Sequence, residues 1–335
     1  MPNNIRATFL KIRGVKTLLA IFASIVLGGG IANAEKWDMP MAYADSNFHT
    51  QNGKAFAEAV TLATSGKIEI IIHGGGSLFK GNEIKRAVQT GQAPIGERLL
   101  SAHQNENILF GVDSIPFLAT SYAASSELWK IAKPKLSELM DEQNLVLLYS
   151  VPWPAQGLYF KKPINSMADT KGIKFRGYNA ATNQLAELMG MNPVQIEAAE
   201  LVQALATGVA EAFVSSGSTG YDRKVWEHLT HFYDVQAWLP RNYVFANKDA
   251  WNALDQETQN IVKGVAMMAE AAGTAKSEQL SNWYLTQLAA NGMKVQPAGE
   301  QLSADLKKVG ATMTESWLEQ AGPEGRAIVD AFNEE

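Results

Sequence analysis

The chain has 335 residues, a formal net charge of −5 and no cysteine. An acidic chain without clustered Lys and Arg lacks the electrostatic footprint of a nucleic-acid-binding protein, so no nucleic-acid partner is expected. Because no disulfide is available, the fold must depend on its hydrophobic core. A chain of this length can supply that core in one large or two medium domains.

The first 34 residues predict a secretory signal peptide. Four cations between Arg6 and Lys16 precede an acid-free apolar run, which ends in small residues at Ala32 and Ala34. The run is shorter than the ~20 residues of a membrane-spanning helix, and the whole pattern is typical of a cleaved signal. Cleavage after Ala34 would remove those cations, take the formal charge to −9 and leave an exported protein.

Beyond this segment, strand-like runs alternate with amphipathic helical ones. WDMPMAY and KIEIIIHGGG have the composition of strands, and GKAFAEAVTLATSG between them has helical spacing. The alternation recurs at Glu83–Gly91, at Lys135–Gln143 followed by LVLLYSVPW, and from Gly172 to Ser215. Strands that alternate with helices of about ten to fifteen residues predict parallel sheets covered by helices.

One long helix is predicted late in the chain, from Asp255 to Asn291. Asp255 suits the N-cap and Gly292 follows the end. A helix of this length exceeds what one compact lobe needs, so we expect it to span two lobes as a hinge or brace. Its apolar face would also suit pairing of two copies, and the sequence leaves monomer and homodimer open.

The stretch HGGG at His73–Gly76 resembles the oxyanion-hole element of lipases and esterases. That chemistry also requires a nucleophile in a G-x-S-x-G turn, and the nearest string, SGSTG at Ser216–Gly220, has the wrong spacing. A hydrolase is therefore disfavoured. A close-packed glycine turn after a strand is the favoured interpretation.

Two histidines, His228 and His231, lie three positions apart in WEHLTHFYD, a spacing compatible with metal ligands on one helix face. The chain has no cysteine and no obviously convergent carboxylate beside them, so ordinary histidines are favoured and no metal site is predicted. No phosphate-binding G-x-x-x-x-G-K-[ST] loop occurs. The sequence accordingly predicts no cofactor.

Arg176 is the best-placed candidate for ligand binding. Apolar and cationic residues alternate in KGIKFRGYN, which predicts a short strand with Arg176 at its carboxyl end. The next helix is predicted to be capped by Asn179 and closed by Gly190. Open α/β sheets bind ligands at the carboxyl ends of parallel strands, and a guanidinium beside a helix N-terminus suits a carboxylate. A surface salt bridge is the alternative.

A second strand and several aromatic residues extend this candidate site. AAELVQALATG predicts a helix, and VAEAFVSSGSTG predicts a strand that continues into a polar loop. Hydrogen-bond donors can therefore lie at the same edge as Arg176, namely Ser215, Ser216, Ser218 and Thr219; an ordinary turn is the alternative. Aromatic residues in loops suit either pocket walls or bracing of lobe interfaces. The remaining candidates are Trp153, Tyr159, Tyr178, Trp238 and Asn242.

The order of these motifs resembles the periplasmic solute-binding proteins of TRAP (tripartite ATP-independent periplasmic) transporters. The resemblance covers essentially the whole chain after the signal. Its most specific part is MADTKGIKFR followed some thirty residues later by ALATGVAEA. It implies an organic-acid-binding protein, without covalent chemistry, that serves a small and a large membrane subunit driven by an ion gradient. A ligand sensor that docks on a receptor kinase would share the fold and remains the alternative.

The resemblance implies an α/β, two-lobed, type II periplasmic-binding-protein-like fold, with mixed sheets flanked by helices, a ligand cleft between the lobes and a long helix spanning both. We expect the first lobe to comprise residues 35–155 plus about 243–275. The second would comprise 156–242 plus about 276–335.

The resemblance also assigns roles to individual residues. Arg176 matches the family arginine that pairs with the substrate carboxylate, and Ser215 falls near a position where many members have asparagine. Glu97 and Arg98 fall near a polar contact of the first lobe, and Tyr159 stands where several members have a second arginine. One clamp and an aromatic lining imply a monocarboxylate with an apolar or aromatic body. A contribution from Arg98 would leave a 2-oxo acid, dicarboxylate or sugar acid open.

Overall fold

The computed structural model describes residues 34–334. The predicted signal peptide, apart from Ala34, lies outside the described residues. Within the described range, no helix combines the length and apolarity needed to cross a membrane.

Strands and helices alternate along most of this range. The strands are β1 (Glu35–Pro40), β2 (Ile68–His73), β3 (Ile95–Leu99), β4 (Leu145–Pro152), β5 (Gln156–Phe160), β6 (Lys174–Gly177), β7 (Asn192–Gln195), β8 (Ala212–Ser216), β9 (His231–Tyr233), β10 (Arg241–Asn247) and β11 (Lys294–Gln296). The α-helices are α1 (Phe48–Ala63), α2 (Ile84–Gln89), α3 (Tyr122–Asp141), α4 (Ala180–Leu188), α5 (Leu201–Ala206), α6 (Gly217–Asp222), α7 (Lys248–Ala253), α8 (Gln256–Ala290) and α9 (Glu300–Asn333). Short 3₁₀ helices occupy several of the connections.

The strands form two groups. In the first, β1 and β2 pair in parallel, and β10 lies between β3 and β4 in a three-stranded sheet. A parallel bridge between Met41 and Glu97 joins the two sheets. In the second group, six strands have the order β11-β9-β5-β8-β6-β7. Each group forms the sheet of one lobe, which confirms the two-lobed α/β fold with mixed sheets.

The alternation of strands and helices predicted parallel sheets, and only part of the strand pairing is parallel. The β1-α1-β2 and β6-α4-β7 units are parallel as expected, but β10 is antiparallel to both β3 and β4, and β5 is antiparallel to β8 and β9. The cause is the crossing between lobes. Because β4 leaves the first lobe and β10 returns to it alongside, the two must run in opposite directions.

Apolar side chains cover both faces of each sheet. On the first lobe's sheet, Tyr149 and Val244 belong to one core cluster, whereas Tyr243 and Phe245 belong to another. On the six-stranded sheet, Leu158 and Phe160 contribute to one cluster, and their neighbour Tyr159 contributes to the opposite one. The period-2 alternation of strands therefore places hydrophobic groups under helices on both sides, as in other α/β sheets with helices on both faces.

Two long helices connect the lobes. α8 begins after its N-cap Asp255, packs on α1 and β4, and reaches α6 and β11 at its far end, which confirms the predicted spanning helix. α9 packs first among the second lobe's core residues and then, from Trp317, among those of α3. The C-terminal part of α9 thus packs on the first lobe, unlike the expected boundary, which gave 276–335 to the second. A kink at Gly322, just before Pro323, divides this helix.

Two local predictions differ from the structure. The helix expected at Lys135–Gln143 is the second half of α3, which continues through Pro134 because the preceding turns are held by the N-cap Ser121 and by packing of Leu128 and Trp129. The polar loop expected after Ser216 is the short helix α6. Ser216 begins this helix, since its Oγ accepts from the backbone N–H of Thr219 at 3.4 Å.

Candidate functional site

A cavity lies where the two sheets face each other. Its solvent-accessible volume is about 40 Å³, room for a few waters or one compact ligand. The first lobe contributes Tyr43, Arg98 and Leu99, the second lobe contributes Gln156, Arg176, Tyr178, Glu197, Ala198, Ser215 and Thr219, and the crossings contribute Trp153 and Pro240. Five of the ten predicted site residues therefore line one cavity.

The crossings beneath the cavity pair with each other. The backbone N–H of Trp153 donates to the carbonyl of Pro240 at 2.8 Å, and that of Gln156 donates to Trp238 at 2.9 Å. The two segments that pass between the lobes thus form one hydrogen-bonded hinge. Because Trp153, Gln156 and Pro240 also line the cavity, a ligand here touches the hinge directly.

Arg176 lies at the carboxyl end of β6, as predicted, and is 3% exposed. Its Nε donates to the carbonyl of Ile196 at 2.8 Å, which fixes the side chain, and its guanidinium carbon lies 5.3 Å from the ring centroid of Tyr178. Within residues 34–334, no carboxylate forms an ion pair with this guanidinium. Burial lowers its pKa to about 10, so the group stays cationic at neutral pH. Among the described residues, this fixed cation therefore has no carboxylate partner.

Tyr178 forms a wall beside that cation. Its hydroxyl donates to Gln156 Oε1 at 3.3 Å and accepts from Trp238 Nε1 at 3.0 Å. Burial raises the pKa of Tyr178, so its phenol stays neutral. Trp238 is itself buried and does not line the cavity. The indole instead holds Tyr178 in place from behind.

The second arginine of the cavity is already paired. Nη2 of Arg98 donates to Oε1 of Glu197 at 2.9 Å, and Nη1 donates to Oε2 at 3.3 Å. Arg98 belongs to β3 in the first lobe, and Glu197 follows β7 in the second. The bidentate pair therefore bridges the cleft.

Glu97 and Asn242 lie behind the cavity rather than on it. The Nε1 of Trp153 donates to Asn242 Oδ1 at 2.8 Å, and Asn242 Nδ2 donates to Glu97 Oε1 at 2.8 Å. The ring of buried His49 lies 4.2 Å from that of Trp153. Burial raises the pKa of Glu97 to about 8 and lowers that of His49 well below its usual value. These groups support the cavity wall from within the first lobe.

Tyr159 and Ser216 do not line the cavity. Tyr159 stacks on Phe213 with ring centroids 4.3 Å apart, and its hydroxyl donates to the carbonyl of Ser216 at 2.9 Å. It packs beneath α6, where a Cβ at Gly220 would lie 2.3 Å from its hydroxyl oxygen. The structure therefore does not place Tyr159 in the cavity lining, contrary to the prediction. Tyr159 belongs to the second lobe's core, because strand alternation directs it to the sheet face that α6 covers.

Three polar lining residues were not predicted: Tyr43, Gln156 and Glu197. Tyr43 follows β1, and Glu197 follows β7, as Arg176 ends β6. The strand-end rule that selected Arg176 applies equally to these two positions. Burial raises the pKa of Tyr43 to about 12, so its hydroxyl enters the cavity as a neutral group.

The glycine turn and His231 have structural roles. The backbone N–H groups of Gly75 and Gly76 donate to the carbonyls of Tyr43 and Met41, so they are not free to form an oxyanion hole. His231 lies in β9 with Nδ1 bonded to Thr230 Oγ1 at 2.7 Å. No cluster of potential metal ligands occurs in the described part of the chain.

Hydrogen bonds join the lobes on either side of the cavity. Asn179 Nδ2, at the N-cap of α4, donates to Ser101 Oγ at 3.0 Å, and both side chains are buried. Asn47 Nδ2, at the N-cap of α1, donates to Asp222 Oδ2 at 2.7 Å. Together with the pair of Arg98 and Glu197, these contacts describe a cleft in its closed form.

These features define a two-lobed solute-binding protein with a hinged anion site. The chain belongs to the bacterial extracellular solute-binding proteins of family 7 (DctP), whose family model matches residues 41–321. This match confirms the resemblance found in the order of the sequence motifs.

Three solved structures are similar over 90% of this chain and 100% of their own. One is a marine metagenome TRAP solute-binding protein specific for pyroglutamate, solved with co-purified pyroglutamate, at 58% identity and a TM-score of 0.89. The others are DctP6 and DctP7 of Bordetella pertussis, extracytoplasmic solute receptors that bind pyroglutamic acid, at 44% and 41% identity and TM-scores of 0.88. A monocarboxylate 2-oxoacid-binding periplasmic protein of Nostoc sp. is 24% identical over 286 residues, covering 84% of this chain and 78% of that protein.

Proposed function

We propose that this protein captures a compact monocarboxylate in the cleft, with pyroglutamate as the leading ligand, and delivers it to the small and large membrane subunits of a TRAP transporter. The observation that carries the proposal is the buried, unpaired guanidinium of Arg176 in an otherwise charge-balanced cavity. A ligand with one carboxylate supplies the missing counter-ion. The relative with 58% identity and its pyroglutamate ligand support this choice of acid.

The cavity offers partners for the rest of such a ligand. Pyroglutamate carries, beside its carboxylate, one amide N–H donor and one carbonyl acceptor on a small ring. Gln156, Ser215 and Tyr43 provide donors and acceptors in the lining, while Trp153 and Tyr178 provide apolar surface. Of the predicted site, Arg176 is the proposed carboxylate clamp, and Arg98, Trp153, Tyr178 and Ser215 form its surroundings.

The proposed cycle requires only binding and hinge motion. Residues 35–155 plus about 243–275 move against 156–242 plus about 276–316, with the end of α9 kept on the first lobe. The ligand stabilises the closed form because it contacts both lobes. No bond of the ligand is made or broken, so the protein is proposed not to be an enzyme. Residues 1–34 are proposed to direct export to the periplasm.

Calorimetry on ligand-free protein tests this function. The protein is unfolded in guanidinium, dialysed to remove any co-purified acid, refolded and titrated with L-pyroglutamate. The carboxamide of pyroglutamate is the matched control, since it keeps the ring and lacks the charge. We expect heat and thermal stabilisation from the acid alone, about 2.7 kcal/mol at one hundred times the dissociation constant. No response to pyroglutamate, or an equal response to the carboxamide, would contradict the proposal.

Two further measurements address the other parts of the proposal. NMR of the ligand after prolonged incubation with the protein should show it chemically unchanged, whereas a product would indicate an enzyme. Uptake of labelled pyroglutamate in cells should be lost when either the binding protein or the membrane subunits of the proposed transporter are deleted. Retained uptake without those subunits would argue for a sensor.

A further inference from the structure

The ion pair between Arg98 and Glu197 is built into the cavity wall. Both partners line the cavity, and their side chains are 5% and 25% exposed. Gly81 makes room for the pair, since a Cβ there would lie 2.6 Å from Arg98 Nη1 and 2.7 Å from Glu197 Oε2. The pairing thus depends on three segments far apart in the chain. It is a packed feature of the closed cleft rather than a loose surface contact.

The charges that face the cavity have a simple balance. Arg98 and Arg176 contribute two positive charges and Glu197 contributes one negative charge, which leaves one positive charge in excess. A monoanion neutralises this excess. A dianion would leave one negative charge without a partner in a buried site, which is costly because buried charges are stable only when paired.

We propose that Glu197 is the residue that restricts this site to monoanions. Its carboxylate occupies the fork of Arg98, the position that a second ligand carboxylate would otherwise take. This inference rests on the proposed function, since it specifies the charge of the acid that Arg176 binds. Glu197 thereby has a role in specificity, and its partner Arg98 is the residue that the sequence suggested as a second charge for binding the ligand.

A role in lobe closure alone is the competing explanation, because the same pair joins the two lobes. The two roles differ in what they change. Closure affects every ligand to the same extent, whereas charge selection changes the ratio between a monoanion and a dianion of equal size. The ratio of affinities therefore separates them.

Calorimetry with two isosteric ligands makes this comparison. Glutaramate is a monoanion and glutarate is a dianion, and they differ only in an amide against a carboxylate. Each is titrated, alongside pyroglutamate, into the wild type, Glu197→Gln and Glu200→Gln, the last being an exposed glutamate three residues away that does not line the cavity. We expect Glu197→Gln to shift the affinity ratio at least tenfold toward glutarate and Glu200→Gln to leave it unchanged.

A double variant controls for effects of Glu197→Gln that do not depend on the charge of the cavity. Adding Arg98→Gln to Glu197→Gln removes the released cation, so the affinity ratio should return toward that of the wild type. An unchanged ratio in Glu197→Gln, or loss of all three ligands, overturns charge selection in favour of closure. Failure of the wild type to bind pyroglutamate is a different outcome, because it overturns the proposed function itself and this inference with it.

Discussion

Trp153 and Asn242 are joined by a buried hydrogen bond of 2.8 Å, from the indole Nε1 to the amide Oδ1. Trp153 lines the cavity within a hinge segment, and Asn242 lies in the central strand β10 of the first lobe. Asn242 in turn donates to Glu97. The cavity wall is therefore oriented by the interior of one lobe.

Trp153→Phe is expected to lower the free energy of unfolding by about 1–2 kcal/mol, because it leaves the Asn242 acceptor buried without a donor. Urea denaturation measures the change. Trp283→Phe is the matched control, since Trp283 is 41% exposed and forms only ring contacts in the structure. Equal effects of the two substitutions would show that the buried hydrogen bond makes no net contribution to the free energy of unfolding.

Glu97 is expected to make the protein less stable as the pH rises from about 6.5 to 8. Burial raises its folded-state pKa from 4.5 to about 8, so the folded protein holds a proton that the unfolded chain releases. The protonated Glu97 contributes its full stabilisation below the pKa of the unfolded state, and this contribution is lost as the pH rises through the pKa of the folded state. Between the two pKa values, the free energy of unfolding falls at a slope approaching about 1.4 kcal/mol per pH unit. Denaturation at several pH values measures this slope.

The choice of pH window isolates Glu97 from other buried groups. Asp113 has a raised pKa of about 6 and affects lower pH, and the lowered pKa of His49 acts below about 6.5 in the opposite direction. Glu97→Gln should flatten the slope between pH 6.5 and 8 while keeping an acceptor for Asn242. Glu58→Gln, the same substitution at an exposed position, should keep it. A slope that survives Glu97→Gln would contradict the assignment.

Arg176→Ala is expected to weaken pyroglutamate binding by more than one hundredfold, because removing one partner of a buried ion pair costs about 3–5 kcal/mol. The measurement is calorimetry, with circular dichroism to verify the fold. Lys174→Ala serves as control because Lys174 lies in the same strand and is exposed. Near-native affinity in Arg176→Ala would exclude the carboxylate clamp.

Ser101→Ala is expected to weaken ligand binding roughly tenfold, because the closed form would then bury Asn179 Nδ2 without its acceptor. In the open form water satisfies the same group, so the stability of the ligand-free protein should change little. Ser114→Ala, which removes a buried hydroxyl within the first lobe, should do the reverse. If Ser101→Ala affects folding and binding equally, its hydrogen bond does not depend on closure.

Local patterns predicted those parts of the fold that local forces determine. The strand ending at Arg176, the Asn179 cap and the Asp255 cap of α8 follow from alternation and side-chain capping over a few residues. The first half of α3, before Pro134, was not predicted as helix. A helix stabilised by tertiary packing tolerates a proline that an isolated helix would not. Strand direction across the hinge also depended on the path of the chain between lobes.

The composition of the cavity was less accessible to sequence reasoning. Arg98 and Glu197 are 99 positions apart, and only lobe closure brings them together. Tyr159 was assigned to the pocket because it stands where several family members have a second arginine, yet which face of β5 is covered by a helix is a tertiary property. Glu197 had a usable signal, since it follows a parallel strand, but its role depends on a partner from the other lobe.

The packing of Tyr159 also determines how this binding site can change in evolution. In this protein the position is packed against Phe213 and beneath α6, so an arginine introduced there alone would replace a core side chain. In descendants of this protein, selectivity for diacids would therefore evolve through residues at the interface between the lobes, not through a residue of β5. For the design of a diacid biosensor, the same reasoning makes Glu197 the first residue to substitute.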